Sequence, residues 1–195
     1  MYIKRTPLVL LVCLALILVL SACQPIQPLT DETMTEDSSK IANAMSAAPL
    51  AISEEATILD WPSDMNAPPP VLREGSNEWA CLPDNVDTPG NDPMCVDPVW
   101  MAWMEAFMAG AEPENSVPGI SYMLAGGSDA SNTDPYAMEP AEGDEWVESP
   151  AHIMLLVPGG FDPAEFSTDP DSGGPYIMWE GTPYEHLMIP VDPAG

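Results

Sequence analysis

A chain of 195 residues with 31 acidic and four basic side chains carries a formal charge of −27. That balance excludes nucleic-acid binding and charge-driven adhesion to anionic headgroups, which need clustered Lys and Arg, and phosphoryl transfer, which needs a glycine-rich cradle with cationic clamps. Disorder is excluded too: 46% of the residues are apolar, with six Trp and five Tyr, while 24 Pro and 13 Gly imply many turns and short elements.

The N-terminus sets the address. Lys4 and Arg5 precede an unbroken apolar run over residues 8–20. Spanning a bilayer takes about 20 residues as a helix, so the run fits the core of a secretory signal instead. It ends in Leu20-Ser21-Ala22-Cys23, which resembles the bacterial lipobox, with small residues before a cysteine that is acylated. Residues 1–22 are therefore expected to be a signal peptide. Cys23 becomes the lipidated N-terminus, and residues 23–37 form a polar tether. Several acyl chains, at ~0.8 kcal/mol per buried methylene, hold a protein to a membrane effectively permanently. Gln24 after the cysteine resembles outer-membrane sorting, facing the periplasm in a Gram-negative host. The expected membrane partner is reached through this anchor. Beyond residue 22, Lys40 and Arg73 face all 31 carboxylates, a formal charge of −29.

Of the four cysteines, Cys13 lies in the signal and Cys23 takes the lipid. Cys81 and Cys95 remain, and in an oxidising exported compartment they are expected to pair. Their spacing is unlike Cys-x-x-Cys, so the bond is structural.

The rest, residues 38–193, reads as a single α+β domain with a mainly antiparallel sheet, one main amphipathic helix and long irregular loops. Ser38 or Ser39 caps a short helix through Ile41, Ala44 and Met45 that Pro49 closes. Residues 56–61 form a strand, and Pro68-Pro69-Pro70 leads into residues 71–74. Gly75-Ser76-Asn77 turns the chain back into residues 79–82 as a hairpin. Residues 83–98, dense in Asp, Asn, Pro and Gly, read as a long loop stapled by the disulfide. Asp97 as cap and Pro98 in the first turn start the main helix. Trp100, Trp103, Met104, Phe107 and Met108 line its apolar face, and Gly110 ends it. Strands follow at 120–125 and 152–157, separated by a loop over 126–146. A turn-rich stretch leads to a final hairpin, with 176–179 and 184–191 joined at Gly181-Thr182-Pro183.

Several stretches resemble a family of uncharacterised exported bacterial proteins. They are Gly75-Ser76-Asn77-Glu78-Trp79-Ala80-Cys81, Thr88-Pro89-Gly90-Asn91-Asp92-Pro93-Met94-Cys95, Ser131-Asn132-Thr133-Asp134-Pro135-Tyr136 and Gly173-Gly174-Pro175-Tyr176-Ile177-Met178-Trp179. The closing Gly181 to Val191 stretch also fits. The resemblance implies one recurrent domain and supplies no catalytic residues.

Candidate chemistry is sparse. There is no Gly-x-Ser-x-Gly elbow, and with 31 acids a carboxylate pair carries no information. Asp129, Ser131, Asn132 and Asp134, or Asp169, Asp171 and Ser172, are close enough in sequence to be weighed for calcium, but neither set follows the EF-hand spacing and all are ordinary turn formers. The two histidines give the sharpest idea. Strand alternation places His152 with Met154 and Leu156, and His186 with Tyr184 and Met188. On neighbouring strands these could converge as a soft metal site; core packing is the commoner use of such residues. The sequence thus points to a non-catalytic, lipid-anchored binding or structural module without a cofactor. The alternative is an exported enzyme or metal-binding protein using His152 and His186.

Overall fold

The computed structural model describes residues 35–64 and 67–191. The stretches expected to be signal and tether, with Cys23 between them, lie outside the described residues as far as residue 34. Among the described residues no helix is long and apolar enough to cross a membrane.

The domain is α+β. Two short helices, α1 (Glu36–Met45) and α2 (Leu50–Ser53), precede strands β1 (Thr57–Leu59), β2 (Val71–Arg73), β3 (Ala80–Leu82) and β4 (Met94–Val96). The main helix α3 (Pro98–Met108) is followed by β5 (Gly119–Met123), β6 (Gly127–Asp129), β7 (Val147–Ser149), β8 (His152–Leu156), β9 (Tyr176–Met178) and β10 (His186–Pro190). Eight strands form one sheet in the order β2-β1-β3-β4-β5-β8-β10-β9, and β6 pairs with β7 in a separate ribbon. All the ladders are antiparallel except that between β1 and β3.

Each face of the sheet has its own cover. On one, Ala44, Ala47, Ala48, Ala56 and Ile58 pack around Cys81 and Cys95 beneath α1 and α2. On the other, Trp100, Trp103 and Met104 of α3 pack against Leu82, Val96, Met123, Met154, Leu156, Met178 and Met188. Neighbouring residues such as Cys95 and Val96 go to opposite cores, as strand alternation requires.

The main helix forms where the sequence places it. Asp97 Oδ1 accepts from the Trp100 amide at 2.7 Å, and Oδ2 accepts from Ile120 N at 2.7 Å, which ties the helix start to β5. Gly119 lets the two approach: a Cβ there would lie 2.9 Å from Val99 Cγ1 and 3.2 Å from Trp100 N. The helix stops before Gly110, which adopts φ +63°.

Four expectations are corrected. Thr35, not Ser38 or Ser39, caps α1, accepting from Ser38 N at 3.1 Å, so the domain starts inside the stretch read as tether. Glu36 and Asp37 then sit in the first turn, where carboxylates suit the helix dipole. Pro49 opens α2 rather than only ending a helix. Residues 71–82 are not a hairpin. β1 lies between β2 and β3, because the turn at Gly75 crosses over residues 55–57, where Ser76 N and Asn77 N both donate to Glu55 O. A Cβ on Gly75 would overlap the Ala56 and Thr57 backbone. Finally, the stretches read as loops contain β4 and β6, and β7 directly follows the second of them.

The disulfide lies across one of these unforeseen ladders. Cys81 and Cys95 are directly opposite in the β3/β4 register, bonded, and fully buried.

Candidate functional site

The β6–β7 ribbon is an outgrowth of the sheet. The β5/β8 ladder ends at Met123↔His152 and the β6/β7 ladder begins at Gly127↔Ser149. Between them run residues 124–126 on one side and 150–151 on the other, and Gly126 takes φ +97°. The unequal lengths bend the pair out of the sheet, as a bulge does. The result is an arm whose tip is the loop 130–146. It folds over the α3 side, since a Cβ on Gly127 would meet Met123 Cε at 2.8 Å, His152 Cε1 at 3.5 Å and Asp92 Cβ at 3.6 Å.

Beneath the arm lies a polar cluster. His152 is 1% exposed. Its Nδ1 is 2.7 Å from the Pro150 carbonyl, which assigns the ring proton to Nδ1 and leaves Nε2 a lone pair. That Nε2 is buried and has no hydrogen-bond partner. Burial lowers the His152 pKa, so the ring is neutral. Asp92 accepts from Asn85 N at 3.0 Å and from Thr88 Oγ1 at 2.5 Å, knitting up the loop before β4, and burial raises its carboxyl. Asp129 on β6 is pushed up to about 6, first by burial and then by the Asp92 charge. The Tyr176 and Ser149 hydroxyls are 2.9 Å apart. Burial raises Tyr176, and the charges of Asp129 and Asp171 add to it.

His186 occupies a different setting. It is 2% exposed and sits edge-on to Trp179, Trp100 and Trp103, with ring centroids 5.0, 5.5 and 5.8 Å away. Its Nδ1 lies 3.0 Å from the Tyr184 carbonyl. Burial drives its pKa down to about 4.

β8 and β10 are neighbours, and both histidines lie on the α3 side. Met154 pairs with Met188, but His152 pairs with Pro190. His186 is four residues away from Pro190 along β10, about 13 Å of strand. The register therefore places the two histidines at opposite ends of the ladder, although the His152 charge still lowers His186 further. Among the described residues, no three His, Cys, Asp or Glu side chains come together to hold a metal ion. In the loops weighed for calcium, the side chains serve turns: Ser131 Oγ accepts from Asp134 N at 3.0 Å, and Asp169 Oδ1 accepts from Asp171 N at 3.0 Å.

The arm tip is latched by aromatic residues. Trp179 adopts φ +56°, a rare conformation for a bulky residue. It donates from its amide to Asn132 O and from Nε1 to Ser131 O, both at 2.9 Å. Tyr136 stacks on Phe107 at 5.2 Å, and its hydroxyl donates to Tyr184 Oη at 2.6 Å. Tyr184 passes the bond on to the Ala111 carbonyl at 3.1 Å.

Between the tip and residues 170–171 lies an open cleft of about 1000 Å³, with Glu139, Asp144, Glu145, Glu148, Asp171 and Trp146 in its wall. No basic residue lines it. Lys40 is engaged with Asp60 at 2.8 Å and Glu36 at 3.4 Å, and Arg73 with the Ser53 and Ala56 carbonyls at 2.7 and 2.9 Å. Sequence reasoning did not find this cleft, the buried Asp92 or the Trp179 latch. One local signal was present, the Gly126-Gly127 pair, which marks a bend.

No protein-family model matches the chain, and no curated protein or solved structure does either.

Proposed function

We propose that the chain is exported, lipid-anchored at Cys23, and acts at the cell envelope as a non-catalytic binding module that takes a cationic ligand in the cleft at the arm tip. The observation that carries this reading is the wall of that cleft, five carboxylates with no basic residue among them. Carboxylates crowded in this way repel one another, and a ligand bearing amines or guanidinium groups relieves the repulsion while the field steers it in. In a Gram-negative host the anchor would place the module on the outer membrane, facing the periplasm.

Calorimetric titration of the full chain with an oligo-lysine peptide, against a neutral peptide of equal length, tests the site. Binding should weaken as salt is raised, because exposed charges are screened. It should be lost when Glu139, Asp144, Glu145 and Glu148 are replaced together by their amides. Binding that survives those replacements, or no binding at low salt, removes the reading.

A second reading, an exported enzyme, draws support from the bare Nε2 of His152 beside the arm. His186, held among three indoles, lies apart from it. A hydrolytic screen in which activity disappears with His152→Ala would favour this reading over the first.

A further inference from the structure

We infer that the cleft at the arm tip is built for guanidinium groups, and that its ligand is an arginine-bearing peptide segment stacked on Trp146. The inference rests on the cationic-ligand reading above and names the cation. The five carboxylates of the wall would accept any positive charge; the indole among them discriminates.

Trp146 is the one tryptophan of six that belongs to neither core and meets no other aromatic ring. Trp100 and Trp179 both lie against Trp103, Trp79 meets Tyr122 at 5.5 Å, and Trp61 packs on the α3-side core and donates from Nε1 to Pro83 O at 2.8 Å. Among the described residues, the Trp146 indole N–H has no acceptor. Its half-buried ring lines the cleft instead, together with Pro140, Val147 and Pro170. The next residue, Val147, packs against the α3-side core and begins β7. The indole therefore stands where the tip loop rejoins the sheet ribbon, on a fixed base.

The charges are distributed rather than focused. Glu139, Asp144, Glu145 and Glu148 come from the arm and Asp171 from the facing segment. Among the described residues no three acidic or histidine side chains converge to hold a metal ion, and calcium needs six to eight oxygens around one point. A wall of spaced carboxylates in a cleft of about 1000 Å³ suits a ligand whose own charges are spaced along a chain. Lysine and arginine bring the same charge to it in different form. An ammonium is compact and strongly hydrated. A guanidinium is flat, sheds water more readily, stacks on aromatic faces and forks to carboxylates through parallel N–H donors. Tryptophan is the best of the aromatic faces for such stacking. With Glu145 beside it and Glu148 two residues on, both in the same wall, Trp146 offers a surface for the guanidinium plane and acceptors for its edge.

Calorimetric titration of the full chain in detergent with hexa-arginine, hexa-lysine and argininamide supplies the test. Hexa-arginine should bind more tightly than hexa-lysine by about 2- to 5-fold, the worth of one cation–π contact at an exposed site. Argininamide, with a single guanidinium, should bind far more weakly than either. In Trp146→Leu the two peptides should bind alike, with the affinity for hexa-lysine kept. Equal affinities in the native protein, an arginine preference that survives in Trp146→Leu, or argininamide as tight as hexa-arginine would overturn the inference and leave the cationic-ligand reading standing. Binding of neither peptide removes both. Should Trp146→Leu fold poorly, the indole N–H resonance of Trp146 in the native protein decides: a shift with hexa-arginine that hexa-lysine does not reproduce supports stacking, and an unmoved resonance refutes it.

Discussion

His186→Phe keeps an aromatic ring among Trp100, Trp103 and Trp179 while removing the group that titrates. In the native protein burial holds His186 at about 4, against about 6.5 in an unfolded chain. As pH falls, the unfolded chain takes up this proton first, so the stability is complete above about 6.5 and is lost toward 4. Each pKa unit is worth about 1.4 kcal/mol, which makes the loss about 3 kcal/mol. Asp129 acts in the opposite sense. Its folded value of about 6 exceeds the ordinary 3.8, so its contribution is greatest at low pH and falls by about 3 kcal/mol as pH rises through 6. His152, also lowered by burial, adds to the first slope, and Asp92, raised by burial, adds to the second. The two effects share one window and nearly cancel, so the native profile there should be shallow. His186→Phe should unmask the Asp129 slope, losing about 3 kcal/mol from pH 4 to 6.5. Asp129→Asn should gain about as much over the same range. Urea unfolding at half-unit pH intervals, with the m-value checked for constancy, measures both. Profiles of the two variants that run parallel to the native one within about 1 kcal/mol would show that neither group is held as its burial implies.

The remaining expectations concern anchor, staple, helix seat and metal. Cys23→Ala should release the protein from membranes, and its persistence in a washed membrane fraction would refute the lipid anchor. Replacing Cys81 and Cys95 together by Ala should cost about 3 kcal/mol, the value for closing a loop of roughly 15 residues; recovery of two free thiols from the exported native protein by non-reducing peptide mapping would refute the bond. Gly119→Ala would set a Cβ 2.9 Å from Val99 Cγ1 and should destabilise by about 1–3 kcal/mol through overpacking, so an unchanged Tm would show that α3 sits further from β5. Copper or zinc titration should reveal no stoichiometric site that His152→Ala with His186→Ala removes, given their separation along the ladder; a tight one-to-one site lost in that double variant would contradict the register.

What was legible in the sequence was what neighbouring residues decide among themselves. Asp97, Pro98 and the Trp100–Trp103–Met104 stripe specify α3 within a dozen residues, and the Gly181 turn specifies the β9/β10 hairpin. Partner choice was not legible. β1, β2, β3 and β4 have three residues each, too few for a period of two to separate strand from loop. Met94-Cys95-Val96 therefore disappears into a Pro- and Asp-rich stretch, although its pairing places the disulfide. β6 reads Gly-Ser-Asp and β7 Val-Glu-Ser. Their polarity is that of a loop, and only Val147 of the six residues packs against the apolar core. Asp92 was lost among 31 carboxylates, since what distinguishes it is burial, a property of the folded chain. The histidines fall between these cases. Alternation correctly places each with its Met neighbour, and β8 does adjoin β10. The offset along the ladder decides whether two imidazoles share a point, and it is set by where the β8 ladder meets Pro190 and Leu187. A pattern that repeats every two residues is blind to a displacement of four.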